Sequence, residues 1–376
     1  EQWDAVHEWH ASASVDGRYA TTCISSKCRD FNESIYKQTT FIFLYEVRLG
    51  GYVMKKRVWL PFTLTAALLL AACNSDEDSA KVVETEQSTD VVTIENEGIT
   101  IDSEKAPTRA VTVNQHATEV MLALGLEDSM VGTAYLDDVI YEPLQDAYNQ
   151  IPVLSETSPS KEQIIETEAD FIYGGWASFF SEKKFGSREQ LQALEIDTYV
   201  QSSSMKIAPT VEDVYTDIRN IAKIFRIEQR GEQLISQINE DIEAVTAKIP
   251  NMEKPLDVLV YDSGETEVYT AAQSFLNTLI TMAGAKNVFG DIEDTWAIVS
   301  KEDAVERSPE VIVITDYGST TAREKIDFLK SDPALSQTPA VQNERFVVIP
   351  LTAAAEGVRI AQALETLAQG FYLEAF

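Results

Sequence analysis

Catalysis by a side-chain nucleophile needs a base oriented beside it, and this chain is poor in such pairs. Its three histidines are His7, His10 and His116, its three cysteines are Cys23, Cys28 and Cys73, and no Gly-x-Ser-x-Gly elbow occurs. From Cys73 onward one imidazole remains, too few for a multi-histidine zinc or manganese receptor. The residues that recur at suggestive places are of the kind that hold a ligand without altering it. Asn114, Gln115 and His116 follow one apolar run, and Tyr135 follows the next. Gly174-Gly175-Trp176 follows a third, where the glycines permit close backbone approach and the indole offers a stacking face. Asp262 and Ser263, then Asp316 and Tyr317, then Leu351-Thr352 occupy equivalent places later in the chain, with Tyr269 and Trp296 as further aromatic surface. Arg359 could grip an anionic group with two parallel hydrogen bonds, or pair with Glu356 three residues before it. One strong cation among aromatic and neutral polar groups implies recognition of a ring-bearing small molecule, with no cofactor or resident metal expected.

These candidates need elements that end where they begin. Strands are expected at Arg109 to Val113, Met130 to Ala134 and Phe171 to Tyr173, with a helix from Ala117 to Leu124 closed by Gly125. In the second half, strands at Val258 to Tyr261, Val311 to Thr315 and Phe346 to Ile349 alternate with a helix from Phe275 and a terminal helix from about Val358. Such alternation argues for open α/β layers, whose ligands sit beyond the carboxyl ends of strands. A hairpin is expected around Glu95-Asn96-Glu97-Gly98. Between the halves, Thr210 and Asp213 form a capping box, and apolar residues recur at Val211, Val214, Ile218, Ile221 and Phe225. The pattern resumes at Leu234, Ile235, Ile238, Ile242, Val245 and Ile249, with Gly231 as a bend or break. One helix from Glu228 to Ile249 would reach roughly 33 Å, a rigid spine between lobes.

Each half also carries a serine-capped unit: Ser160-Lys161-Glu162-Gln163 before Ala169 to Gly174, and Ser300-Lys301-Glu302-Asp303 before Pro309 to Ile314. Helix capping accounts for each copy. It does not account for one copy in each half.

Ahead of these regions, Met54-Lys55-Lys56-Arg57, an apolar run from Val58 to Leu70, and Ala71-Ala72-Cys73 form a secretory signal too short to span a bilayer. Its ending resembles the lipobox of bacterial lipoproteins, which implies a diacylated Cys73 anchored by two acyl chains. Residues 1–53 then read as an untranslated leader, since Gly50-Gly51 upstream of Met54 can be encoded by a ribosome-binding sequence. Residues 73–90 read as an acidic disordered tether. The expected divisions are 1–53 leader, 54–72 signal, 73–90 tether, 91–208 first lobe, 209–254 inter-lobe helix and 255–376 second lobe. Net charge is −31, and removing 1–72 leaves 22 basic and 54 acidic residues, so no basic stripe is available to displace counterions from nucleic acid.

Arg109-Ala110-Val111-Thr112-Val113, Thr118-Glu119, Leu122 to Leu126, Val131-Gly132, the paired Ser-Lys-Glu units and the spine together resemble the periplasmic-binding-protein family for ferric siderophores and cobalamin. That resemblance covers about residues 91–376. It implies two open α/β lobes joined by one long helix, with ligand held between them and little hinge motion. It implies a monomeric receptor, not an enzyme, serving an ABC permease with a cytoplasmic ATPase. Glu162 and Glu302 match the glutamates that meet arginines on the two transmembrane subunits. Tyr135-Leu136-Asp137-Asp138, Gly174-Gly175-Trp176 and Glu356-Gly357-Val358-Arg359 resemble a branch assigned to a deazaflavin-coenzyme precursor, the alternative ligand. A lipid-anchored hydrolase is the competing class, a direct zinc or manganese receptor the third, and a purely structural surface lipoprotein the last.

Overall fold

Near-continuous apolar runs such as Ala110–Val113, Phe171–Gly174 and Val311–Asp316 suit strands buried on both faces, and all three form the middles of parallel sheets. The computed structural model describes residues 91–373 and 376. The expected leader, signal, Cys73 and tether lie outside the described residues.

The chain enters through a hairpin, β1 (Val92–Asn96) and β2 (Ile99–Ser103), which turns on Glu97 and Gly98 at φ 50° and 80°. Positive φ at both central residues is the type I′ geometry that matches strand twist. The first lobe is a sheet of β3 (Ala110–Val113), β4 (Met130–Ala134), β5 (Val153–Ser155), β6 (Phe171–Gly174) and β7 (Asp197–Val200), in the order β5-β4-β3-β6-β7 and parallel throughout. Helices α1 (Gln115–Ala123) and α2 (Lys161–Glu166) follow β3 and precede β6. The second lobe pairs β8 (Asp257–Tyr261), β10 (Lys286–Asn287), β12 (Val311–Asp316) and β13 (Phe346–Pro350) in the order β10-β8-β12-β13, again parallel. A separate antiparallel ribbon of β9 (Val268–Ala271) and β11 (Trp296–Val299) completes it.

The inter-lobe segment differs from the single helix expected over 209–254. It is two helices, α3 (Val211–Ile224) and α4 (Glu228–Thr246). Arg226 separates them in the left-handed region at φ 60°. Its N–H reaches the Lys223 carbonyl and that of Ile227 the Ala222 carbonyl, a Schellman ending made without the usual glycine. Gly231, read as a bend, instead sits inside α4, where a Cβ would come within 2.7 Å of the Ala222 Cβ. It lets α3 and α4 cross at touching distance. The fully buried Asp217 of α3 accepts hydrogen bonds from Tyr199 Oη (2.6 Å) and the Ser202 and Ser203 amides (2.9 Å each), which binds α3 to the first lobe. The spine is therefore α4 alone, about 28 Å long at 1.5 Å per residue. It buries Ile235, Ile238, Ile242 and Val245 against α3 on one side and α8 (Ile360–Phe371) on the other.

Three further helices matter below: α5 (Phe275–Met282), α6 (Lys301–Glu306) and α7 (Ala322–Ser331). Because α2 and α6 each run into a strand of a parallel sheet, their N-termini lie at the carboxyl edge of the sheet. That edge is where the two lobes meet.

Candidate ligand-binding cleft

The lobes touch through segments that follow strands. After β3 the backbone passes through Asn114 at φ 78°, and after β4 through Tyr135 at φ 56°. Non-glycine residues held there carry strain of order 1–3 kcal/mol each, a cost concentrated at functional edges. His116 is buried at 3 % exposure. It lies between Gly175 of its own lobe and Gly357 of the other, where a Cβ would meet the His116 Cβ at 3.1 Å. A Cβ at Gly175 would collide with the imidazole itself, so that glycine is needed for the ring to fit, whereas a Cβ at Gly357 would make a tight contact with the His116 Cβ. The Trp176 ring packs against that imidazole, 5.1 Å between centroids. Gln201 donates to the Glu356 carbonyl at 2.7 Å, a hydrogen bond between lobes.

The strongest connection is a buried ion pair. Arg359, at the start of α8 and 6 % exposed, places its guanidinium on Glu119 of α1, which is 1 % exposed. Nε donates to Glu119 Oε2 at 2.7 Å, and Nη2 to both Glu119 Oε1 and the Val139 carbonyl, the latter at 2.8 Å. Glu119 Oε1 also accepts from Gln115 Nε2 (3.1 Å) and the Tyr141 amide (3.0 Å). Gln115 donates to the Val139 carbonyl at 2.7 Å and accepts from the Asp138 amide at 3.0 Å. The loop from Asp138 to Tyr141 is thus held at three backbone points.

On the second lobe, Asp262 is fully buried and fixes its surroundings. It accepts from Thr315 Oγ1 (2.8 Å), Tyr317 Oη (2.9 Å) and Ser263 Oγ (3.0 Å). Lys325 of α7 donates to the Thr315 carbonyl at 2.6 Å and stands 4.8 Å from the Tyr317 ring centre. Burial and then Asp262 hold the Tyr317 phenol far above its usual range, so it stays neutral and donates; Asp137 of the first lobe adds to that shift from across the cleft. Tyr269 and Trp296 stack on each other, 5.5 Å apart and 19° from parallel. Asp137 has its carboxyl raised to about 6, by burial first and then by Asp138. Among the described residues no cation forms an ion pair with it, and no group of three or more His, Cys, Asp or Glu side chains could hold a metal ion.

Residues 111–353 match the profile of the periplasmic binding protein family, most of the described chain. This protein belongs to that family. An uncharacterized ABC transporter substrate-binding lipoprotein of Bacillus subtilis (strain 168) is 27% identical over 334 residues, covering 86% of this chain and 99% of that one. A probable siderophore-binding lipoprotein of the same organism is 25% identical over 283 residues, 72% of this chain and 82% of that one. Among solved structures, a periplasmic binding protein from Veillonella parvula superposes with a TM-score of 0.69 at 29% identity, covering 75% of this chain and 97% of that one.

For a periplasmic binding protein, the candidates read from sequence fall into three groups. Tyr135, Trp176 and Tyr317 are half-buried and follow the carboxyl ends of β4, β6 and β12. Asn114, His116, Gly175 and Trp296 are buried. Three have other duties. Gln115 braces the Asp138–Tyr141 loop, Asp262 anchors Tyr317 and Thr315, and Arg359 is held by the buried carboxylate of Glu119, with no ion pair to Glu356 among the described residues. Glu162 and Glu302 are exposed at the first turns of α2 and α6. Ser160 makes both halves of its capping box, whereas Asp303 turns away to Arg307 at 3.1 Å. The residues not singled out as ligand candidates are Glu119, Asp137, Gly357 and Lys325. For Glu119 a signal existed, since Gln115 and Glu119 stand four apart on one helix face. Both amide atoms of Asn114, His116 Nε2, Tyr269 Oη and Thr352 Oγ1 are buried without a protein hydrogen-bond partner, which leaves polar capacity at the lobe junction.

Burial lowers the His116 pKa to about 4, partly offset by a hydrogen bond with the Gly175 backbone. The unfolded chain therefore binds a proton that the folded chain refuses between about pH 6.5 and 4. His116 contributes stability above pH 6.5 that is lost as pH falls through that window. Its imidazole resonances should stay unshifted from pH 8 to 5 in NMR titration; a midpoint near 6.5 would show that the ring is solvated.

Proposed function

We propose that this protein is the extracytoplasmic substrate-binding protein of an ABC importer, anchored as a monomer through diacylated Cys73. Its ligand is a ferric-siderophore or cobalamin-like ring system held between the lobes. What supports the reading most is that Tyr135, Trp176 and Tyr317 stand half-buried just beyond the ends of β4, β6 and β12, with Asp137 beside them, while Lys325 and Arg359 are bonded to protein oxygens. Aromatic faces suit a chelate or corrin periphery, and such pockets are largely pre-formed. The names of the two lipoprotein relatives agree with the transport role, and one agrees with the siderophore class. The deazaflavin-precursor alternative would use the same aromatic walls. A hydrolase has less support, because His116 is buried between the lobes with a neutral ring whose Nε2 has no protein hydrogen-bond partner to activate.

An acidic, aromatic cleft should prefer neutral or cationic ligands. Titrating Trp fluorescence with cyanocobalamin, a neutral and a cationic ferric trihydroxamate, and an anionic ferric tris-catecholate tests this. One of the first three should quench saturably, and Trp176→Ala should weaken its binding by roughly 1–3 kcal/mol. Tightest binding of the anionic chelate would overturn the charge argument.

Delivery would use Glu162 and Glu302. Both stay exposed, and the Glu162 carboxyl is held below its usual range by its own backbone N–H and by Ser160. Surface carboxylates at helix starts contribute little to folding. Paired with permease arginines and desolvated, they would matter more for docking. The double change Glu162→Gln, Glu302→Gln should leave melting temperature and ligand affinity nearly unchanged while reducing ligand-stimulated ATPase activity at least tenfold. Normal stimulation would mean that other residues dock.

A further inference from the structure

The Asp138–Tyr141 loop is gripped from two directions. Its own lobe supplies Gln115 and Glu119 from α1, and the opposite lobe supplies Arg359 from the start of α8. The same loop follows Tyr135 and Asp137, which the receptor reading places at the ligand. Its conformation is therefore tied to a residue of the other lobe. We infer that Arg359 is a positioning residue through which the second lobe shapes the ligand wall: its bonds to Glu119 and the Val139 carbonyl hold the loop in its binding form.

The chemistry favours this over a simple fastening. A guanidinium serves a bidentate carboxylate and a backbone carbonyl at once because its donors lie in one plane. Glu119 in turn is oriented by Gln115 and by the Tyr141 amide, so the charge pair and the loop backbone share one hydrogen-bond network. Withdrawing Arg359 strips two donors from a buried carboxylate and leaves the Val139 carbonyl with Gln115 alone. The network then relaxes where the loop is attached, not in the central strands. The Arg359 guanidinium also lies 5.5 Å from the Tyr141 ring centre, which extends the grip to the end of the loop.

This deepens the receptor reading, since the wall it describes is the proposed ligand site, but its first test needs no ligand. Arg359→Ala alone would strand a buried carboxylate and could unfold the protein, so the informative variant is Glu119→Gln with Arg359→Met, with Arg359→Lys as the charge-retaining comparison. Hydrogen exchange on the exported protein should show the Asp138 and Tyr141 amides exchanging at least tenfold faster in the double variant, with the amides of β3 and β12 unchanged. Arg359→Lys should fall between. Whichever of cyanocobalamin or the ferric trihydroxamates the parent protein binds should then bind about tenfold more weakly. Unchanged loop exchange in a folded double variant would overturn the inference, as would acceleration spread evenly through both lobes. A loosened loop with unaltered affinity would overturn the claim that the loop shapes the ligand wall. If none of those probes binds the parent protein, the receptor reading is at fault, and the exchange result still decides the coupling.

Discussion

Two charges with almost no exposure, Glu119 and Arg359, meet across 240 residues of chain. Taking such a pair out of water costs several kcal/mol per ion, and attraction recovers this only with good geometry and satisfied remaining donors and acceptors. Here the carboxylate takes two guanidinium donors, a side-chain amide and a backbone amide. The pair therefore contributes little net stability but strongly penalises any arrangement that separates it: breaking a buried pair costs roughly 3–5 kcal/mol. Its value is in fixing geometry. The spine α4 sets the distance between sheets, and the ion pair sets how their carboxyl edges face.

With the edges fixed, the character of the cleft follows from what is left over. Arg359 and Lys325 are turned toward protein oxygens. Asp262 is spent in orienting Tyr317, so the phenol presents a fixed, neutral face. Asp137 retains a carboxyl whose charge is costly where it stands. On the proposed reading, the ligand meets apolar ring surface that favours donors and positive charge. An acidic protein could have such a cleft by composition alone, but the commitment of Arg359 and Lys325 to named partners is a local arrangement.

The fold was legible where local chemistry is decisive. Apolar runs marked β3, β6, β8 and β12, the paired serine caps marked α2 and α6, and Glu97-Gly98 marked the hairpin. Short strands were not: β5, β7 and the β9–β11 ribbon have three or four residues each and little periodicity. The break at Arg226 was hidden because the left-handed position is filled by arginine, while Gly231, the conspicuous residue nearby, serves packing. The strand-end rule led to Tyr135, Trp176 and Tyr317. It could not tell a residue that faces the cleft from one that braces it, as Gln115, Asp262 and Arg359 do. That difference rests on partners remote in sequence.

The central claim is that ligand sits between the carboxyl edges of the two sheets. Among the described residues tryptophan occurs at 176 and 296, one in each lobe. Fluorotryptophan labelling, with assignment by Trp→Phe substitution, gives each lobe its own 19F resonance. Titration with the tightest-binding chelate or corrinoid should shift both resonances with the same saturation curve that calorimetry records. Saturable heat with both resonances unmoved would place the ligand elsewhere and contradict the account.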